Sequence, residues 1–484
     1  MAQTAVLIIL LVAFSQADEA CLSSMHTTST TCHPLNESSK LPKKCLGPQW
    51  SLDAPCPHCW SNTAPDYTPG APTTLSADLR TRMSATLTKY LARMEETHPP
   101  SQTSAGTVFS GLGGRALLLL KLYAATGAAQ HLQTAREYTD AMLTKLPAQR
   151  LQDRVSGFVG FQWSHVGMLC IAAVCAELEG DTKSADTFVA QVRDVFEQVT
   201  AGKVGRYDDF DSGRAGLLFA GRFLEANLAP RPGGPLIPRQ VVLRIATAIV
   251  DRGAATAAAL GHDFLQWHGP NDKGLWLGQS HGSAGVLQHL LEVPELLQNS
   301  TATAWIAKTL DHIVGMQLAS GNFPTEYYRP TEDVLIQWDH GAPGVSAALI
   351  RGWRALGTTR YKDAALKALE VTWYRGLLFK GLMTCHGIGG NTWMQLYAGK
   401  VLGGAEGAKY TYRALQFQEQ VLGQPLLSNL DEMRVMQPGG GSVNASESAW
   451  SFWTGSVESA VLLWTELLHR GPANASLTGW EPAL

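Results

Sequence analysis

From Leu79 onward the chain alternates two hydrophobic patterns. One is apolar all round, as in Ala116 to Leu120, Met168 to Val174 and Val345 to Ile350. A helix with no polar face must be buried on every side. The other is amphipathic, as in His131 to Leu143, where apolar residues recur at helical spacing between charged ones. The stretch Leu79 to Leu91 has that second pattern and predicts the first helix.

A short motif stands before each apolar helix. Glycines three apart occur at Gly111/Gly114, Gly213/Gly216, Gly282/Gly285, Gly341/Gly344 and Gly387/Gly390. Two degraded copies, Ser164/Gly167 and Gly455/Glu458, fill the gaps and bring the count to seven. A fixed motif recurring at this period marks a repeat architecture, and each interval has room for two helices. A ring of buried inner helices sheathed by amphipathic outer ones satisfies both patterns. The predicted fold is all-α, an (α/α)7 toroid of seven helical hairpins. The glycines predict unusual backbone angles and close packing at the inner-helix N-termini. Those termini should share one face, where free N–H groups and helix dipoles favour polar or anionic ligands.

The N-terminal part reads differently. Ala5 to Phe14 is a short apolar run followed by Ser15-Gln16-Ala17, which predicts a signal peptide over 1–17, cleaved after Ala17. Residues 18–75 are rich in Ser, Thr, Pro and Cys and predict an irregular extension, leaving 76–470 for the toroid and 471–484 as a C-terminal tail. Cys21, Cys32, Cys45, Cys56 and Cys59 crowd the extension, which suggests disulfides in an oxidising compartment. Cys56-Pro-His-Cys59 admits a redox reading or a structural bridge. Cys170 and Cys175 lie in an apolar helix and read as core. Asn36, Asn299, Asn444 and Asn474 open glycosylation sequons. Together these features predict a secreted or ER-lumenal glycoprotein. A net charge of −3 gives no electrostatic case for nucleic acid. No later apolar run is long enough to predict a transmembrane helix.

Candidate chemistry concentrates beside the motifs. Asp208, Asp209 and Asp211 precede Gly213; Ser280 and His281 precede Gly282; Asp339 and His340 precede Gly341; Cys385 and His386 precede Gly387. A ring would gather these loops at its mouth. Cys385 and His386 can both ligate zinc, or can be a buried thiol and a capping imidazole. Asp339 can be an oxygen ligand or an N-cap.

The motifs resemble those of the lanthionine synthetase C-like family. Trp338-Asp-His-Gly-Ala-Pro-Gly is similar to the family's WCHGAPG, and Cys385-His-Gly-Ile-Gly-Gly to CHGxxGN. Gly213-Arg-Ala-Gly, Trp267-His-Gly, Ser280-His-Gly-Ser-Ala-Gly and Gly321-Asn-Phe-Pro match further family segments. The resemblance spans roughly residues 105 to 468. It implies an (α/α)7 toroid with zinc at its mouth, and addition of a thiol, glutathione in some members, to dehydroamino acids in peptides or proteins. The family zinc has two Cys and one His. Cys385 and His386 match two of these, whereas Asp339 stands where the other Cys belongs. The resemblance makes His281 an acid–base group, Asp209 the acid that protonates an enolate, His340 a residue beside the metal, and Lys380 a substrate-carboxylate contact.

Three functions follow. The first is a zinc-dependent addition of a thiol to an activated alkene, with Cys385, His386 and Asp339 as ligands. The second is a secreted, non-catalytic binding protein that has lost the metal through Asp339. The third is a glycosidase-like toroid pairing Asp209 or Asp211 with Asp339.

Overall fold

The computed structural model describes residues 59–484, except 60, 98, 101–105, 271–273, 379 and 424–450. The predicted signal peptide and most of the extension, with Cys21, Cys32, Cys45, Cys56, Asn36 and Asn444, therefore lie outside the described residues. In chain order the helices are α1 (Ala77–Thr97), α2 (Leu112–Thr126), α3 (Ala129–Ser156), α4 (His165–Leu178), α5 (Thr182–Thr200), α6 (Arg214–Asn227), α7 (Arg239–Leu260), α8 (Ser283–Leu290), the single turn α9 (Pro294–Leu297), α10 (Ser300–Gly315), α11 (Ala342–Leu356), α12 (Thr359–Arg375), α13 (Ile388–Leu402), α14 (Gly404–Gly423) and α15 (Ser456–His469).

The apolar helices form the inner ring. Each packs on the next: α2 on α4, α4 on α6, α6 on α8, α8 on α11, α11 on α13, α13 on α15, and α15 back on α2. Val166 to Ala176 of α4 and Ile388 to Gly399 of α13 are buried without a break. Outer helices cover them. In α5 only one stripe is buried, Ala185, Val189, Val192, Val195, Phe196 and Val199. The seventh hairpin pairs α15 with α1, from the opposite end of the sequence, and that contact closes the ring. The fold is thus the all-α toroid that the seven motifs predict.

The first motif residue is the N-cap of its inner helix in all seven copies: Gly111, Ser164, Gly213, Gly282, Gly341, Gly387 and Gly455. The expectation of unusual backbone angles needs correction. Only Gly341 among these caps has a left-handed φ, +96°. The demand on the second motif residue is steric. A Cβ on Gly285 would lie 1.8 Å from the Gln279 carbonyl oxygen, and one on Gly344 would lie 1.9 Å from that of Trp338. In each case the preceding loop folds back so that the carbonyl six residues earlier fills the missing side chain's place. Glu458 escapes this rule in the seventh copy and forms a buried ion pair with Arg115 at the start of α2, 2.7 Å apart.

Residues 471–484, read from sequence as a tail, pack inside the ring. Ala475, Leu477 and Trp480 are buried. Ser476 meets Lys121 of α2 and Glu466 of α15; Glu481 pairs with Lys400 of α13; the Pro482 carbonyl accepts from Asn227 of α6. The segment then reaches the loops at the other end. Gln162 donates to the Gly479 carbonyl at 2.8 Å, and the Trp480 indole donates to Gln279 at 3.2 Å. Only the middle of the ring lies near all of these elements.

Candidate metal centre and acid–base cluster

A belt of backbone hydrogen bonds fixes the mouth. The carbonyl two residues before each N-cap accepts an N–H from a neighbouring loop. Gln162 accepts from Phe109, Asp211 from Trp163, Ser280 from Phe210, Asp339 from Gln279, Cys385 from Asp339, Trp453 from Thr384 and Cys385, and Phe109 from Trp453. All seven loops are joined, at 3.0 to 3.3 Å. The residue just before the cap is His in three consecutive copies, His281, His340 and His386. The residue before that is Asp211, Ser280, Asp339 and Cys385 in four consecutive copies. The belt therefore holds a row of carboxylate, hydroxyl, imidazole and thiol groups side by side.

Asp339 is the hub of one half. Its Oδ1 accepts from the Ser280 N–H at 3.2 Å. Its Oδ2 lies 3.0 Å from His386 Nε2 and 3.4 Å from His340 Nε2. Burial alone would raise the Asp339 pKa. The imidazoles of His340 and His386 and the charge on His281 overcome it and hold the carboxyl well below its usual range. Burial pushes His340 the other way, down to about 4, assisted by the charges of His386, His281 and Lys380 against the pull of Asp339. At neutral pH the group is a carboxylate facing a neutral His340.

These three side chains each offer a ligand atom, all within 4.8 Å of one another and all buried. A tetrahedral zinc with bonds of about 2.0–2.1 Å sets its ligands about 3.3 Å apart. The observed 3.0 and 3.4 Å separations are close to that edge. Two imidazoles and one carboxylate, with a fourth position open, is a recognised catalytic donor set for zinc. The donor types present suit the metal, although the His340 and His386 rings stack nearly parallel, 5.9 Å apart, and must turn toward each other to share an ion. Cys385 Sγ lies 2.8 Å from His386 Nδ1, whereas Asp339 contacts Nε2. Cys385 and Asp339 thus approach the same ring from opposite edges, and His340 supplies the third atom of the cluster.

The other half centres on His281. Its Nδ1 is 3.5 Å from Asp209 and its Nε2 is 3.8 Å from Asp211. Ser212 locks Asp209 by donating to one oxygen from its N–H and to the other from its hydroxyl, both at 2.7 Å. Ser280 donates its hydroxyl to Asp211. Burial disfavours a charged His281, but the Asp209 contact and the charges of Asp211, Asp209 and Asp339 outweigh it and raise its pKa to about 10. Burial raises Asp211 to about 7; His281 and the Ser280 hydroxyl oppose the rise, and Asp339 and Asp209 add to it. His281 is therefore a stored proton at neutral pH. Asp208 is set apart, held by Arg214 at 2.8 Å and Arg252 at 3.1 Å.

Two aromatic residues not singled out in the sequence wall the site. The Trp163 and Trp276 rings lie 5.1 and 5.2 Å from that of His281, and Trp276 is 5.6 Å from His340. Trp163 stands just before its N-cap, the position His281 holds in its own repeat, so the register could have flagged it. Trp276 lies outside the motif and carries no such signal. Lys380 is half-buried in the loop before α13, where its charge reaches His340. Asn299 caps α10 through its side-chain oxygen, and Asn474 is exposed. Among the described residues no helix is long and apolar enough to cross a membrane.

Comparison with known proteins agrees with this architecture. A sequence model described as "Lanthionine synthetase C-like protein" matches residues 104–436. A relative named "Glutathione S-transferase LANCL1", from Danio rerio, is 26% identical over 353 residues, 71% of this chain and 82% of its own length. The "LanC-like protein GCL1" of Arabidopsis thaliana is 30% identical over 299 residues, 59% of this chain and 64% of its own. The solved structure of "Nisin cyclase" is similar in fold, with a TM-score of 0.53 at 15% identity, covering 80% of this chain and 94% of its own. The chain belongs to the lanthionine synthetase C-like family.

Proposed function

We propose that this protein adds a thiol to the double bond of a dehydroamino acid in a peptide, at a zinc centre held by Asp339, His340 and His386. The observation that carries the reading is the buried Asp339–His340–His386 cluster, with His281 beside it between Asp209 and Asp211. Zinc bound there would supply a lowered pKa for a thiol in its open position. In the addition the thiolate sulfur bonds to the alkene's terminal carbon. The π electrons move onto the neighbouring carbon and its carbonyl, and a proton completes the new C–H bond.

The chain's own residues supply the rest. His281 holds that proton at neutral pH, and Asp209, immobilised by Ser212, keeps it there until charge develops on the substrate. Trp163 and Trp276 fix the imidazole between them and exclude water from two sides. Glutathione is the proposed thiol, supported by the name of the Danio rerio relative, with Lys380 available to a carboxylate of the donor. We further propose that the protein works in the secretory pathway, a reading supported by the N-terminal apolar run, the early cysteines and the sequons.

A second reading has its own observation. Asp339 already has partners in His386 and the Ser280 N–H, which favours a mouth that holds together as a metal-free binding surface. The deciding experiment incubates zinc-supplemented protein with glutathione and a dehydroalanine peptide and follows the peptide's mass. Enzyme-dependent addition of one glutathione, abolished in Asp339→Ala and reduced in His281→Gln, supports the enzyme. Zinc-loaded protein that leaves the peptide unchanged favours the binding module.

A further inference from the structure

The segment after α15 does more inside the ring than fill it. Its two ends are anchored, Ser476 by Glu466 and Lys121, and Leu484 by Asn227. Between them, residues 477–481 fold into one tight turn. The N–H groups of Trp480 and Glu481 both donate to the Leu477 carbonyl, at 3.1 and 2.7 Å, and the Glu481 carboxylate accepts the Leu477 N–H at 2.9 Å. Gly479 makes the bend with a left-handed φ of +92°. Trp480 packs edge-on against Tyr397 of α13, with ring centroids 5.1 Å apart.

From the tip of this turn, two neighbouring residues reach two different loops of the belt. Each meets a fully buried glutamine whose amide is engaged at both ends. The Trp480 indole donates to Gln279 Oε1 at 3.2 Å. The same amide donates to the Gly344 carbonyl in the first turn of α11 at 2.8 Å, and the Gln279 backbone N–H donates to the Asp339 carbonyl at 3.1 Å. Gln279 thus grips the chain on both sides of His340.

The second arm runs through Gly479. Its carbonyl accepts from Gln162 Nε2 at 2.8 Å, and Gln162 Oε1 accepts the Trp453 indole N–H at 2.5 Å. The Trp453 carbonyl accepts the N–H groups of Thr384 and Cys385, at 3.0 and 3.1 Å, and the Trp453 ring stacks on that of Trp338, beside Asp339. The two arms meet where the Asp339 N–H donates to the Cys385 carbonyl at 3.0 Å. The belt ties the loops to one another; the tip of the turn ties two of them to the interior of the ring.

We propose that the C-terminal turn is a brace for the mouth, with Trp480 and Gln279 as positioning residues for the Asp339–His340 loop and Gln162 for the Cys385–His386 loop. The role in metal binding rests on the reading of Asp339, His340 and His386 as a zinc centre. None of the bracing residues touches the ion or the substrate. They act as the partners behind metal ligands do, by fixing the carriers of the donor atoms, and the loss of such a partner lowers metal affinity about 10–100-fold.

The test uses the full chain and two readouts. Trp480→Phe keeps an aromatic ring against Tyr397 and removes the donor to Gln279; Gln279→Met removes the amide. Arg413→Met, which breaks buried ion pairs with Asp66 and Glu370 in the outer layer, is the control for lowered stability. In metal-free protein, Trp480→Phe should speed hydrogen exchange at the Gln279 and Asp339 amides about tenfold, with inner-helix amides unchanged. Its zinc affinity should fall about tenfold or more, whereas Arg413→Met should lose Tm and keep wild-type affinity. Unchanged exchange in both Trp480→Phe and Gln279→Met overturns the brace, whether or not zinc binds. Faster exchange with wild-type zinc affinity overturns the positioning role, as does an affinity that falls equally in Arg413→Met. A wild type that takes up no zinc sinks the metal reading instead, and the exchange rates alone then decide the brace.

Discussion

His281 makes the pH dependence of stability a quantitative test of the mouth. Its pKa is about 10 in the folded chain, against about 6.5 in an unfolded one. A group raised on folding contributes stability that is fully present below the unfolded value and is lost as pH rises through the folded one. Between pH 7.5 and 9.5 the native state keeps a proton that the unfolded state has already released. Linkage then gives a loss of about 2.5 kcal/mol over those two pH units from His281 alone. Asp211, raised to about 7, contributes with the same sign but at lower pH. Lys121, lowered to about 8 chiefly by burial, acts in the opposite direction. Its contribution is common to wild type and variant and cancels in their difference. Urea unfolding of chelator-treated wild type and His281→Gln at pH 7.5 and 9.5 isolates the effect. The wild type should lose more than the variant, by up to about 2.5 kcal/mol, since removing the His281 charge lets Asp211 rise further and gives the variant some loss of its own. Equal losses would show that His281 is not held protonated by Asp209 and Asp211, and the stored-proton role would fail with it.

Three further outcomes follow from the packing. Hydrogen exchange at the amides of Phe210, Gln279, Asp339 and Cys385 should be as slow as in the inner helices, because the belt pairs them although they lie in loops; fast exchange would dissolve the belt. Arg115→Met should cost about 3–5 kcal/mol by orphaning buried Glu458, and Arg115→Met with Glu458→Leu should recover most of it in thermal unfolding. Trp480→Ala should cost about 3–5 kcal/mol, a core-sized loss for a residue near the chain's end; a neutral result would mean that the segment is not seated in the ring.

The ring was legible because the inner helices are strongly apolar and six of the seven are announced by the same two small residues, the seventh by Gly455 and Glu458. The caps fall on the motif residues that the spacing identifies, including the degraded Ser164 and Gly455. The reason for the glycines was less visible. A left-handed φ is needed only at Gly341, and the commoner demand, a carbonyl in place of a Cβ, depends on how the preceding loop folds back. Within the site, sequence position pointed to Asp339, Cys385 and His386 as ligands with His340 beside them, but not to which atoms meet. That depends on ring orientation, and His386 turns Nδ1 to Cys385 and Nε2 to Asp339. The hydroxyl of Ser280 and the indole of Trp276 join through contacts between different repeats, which spacing along the chain does not encode. Residues 471–484 are short and irregular, so they read as a tail; their burial exists only once the ring provides a lumen.

Whether Asp339, His340 and His386 hold zinc is decided by metal analysis. Wild type, Asp339→Ala, His340→Ala and Cys385→Ala would be equilibrated with zinc, freed of excess and assayed for bound metal. One zinc per chain is expected in the wild type, with loss in Asp339→Ala and His340→Ala and retention in Cys385→Ala. A wild type that holds no zinc, or zinc that is indifferent to Asp339 and lost with Cys385, would contradict that expectation.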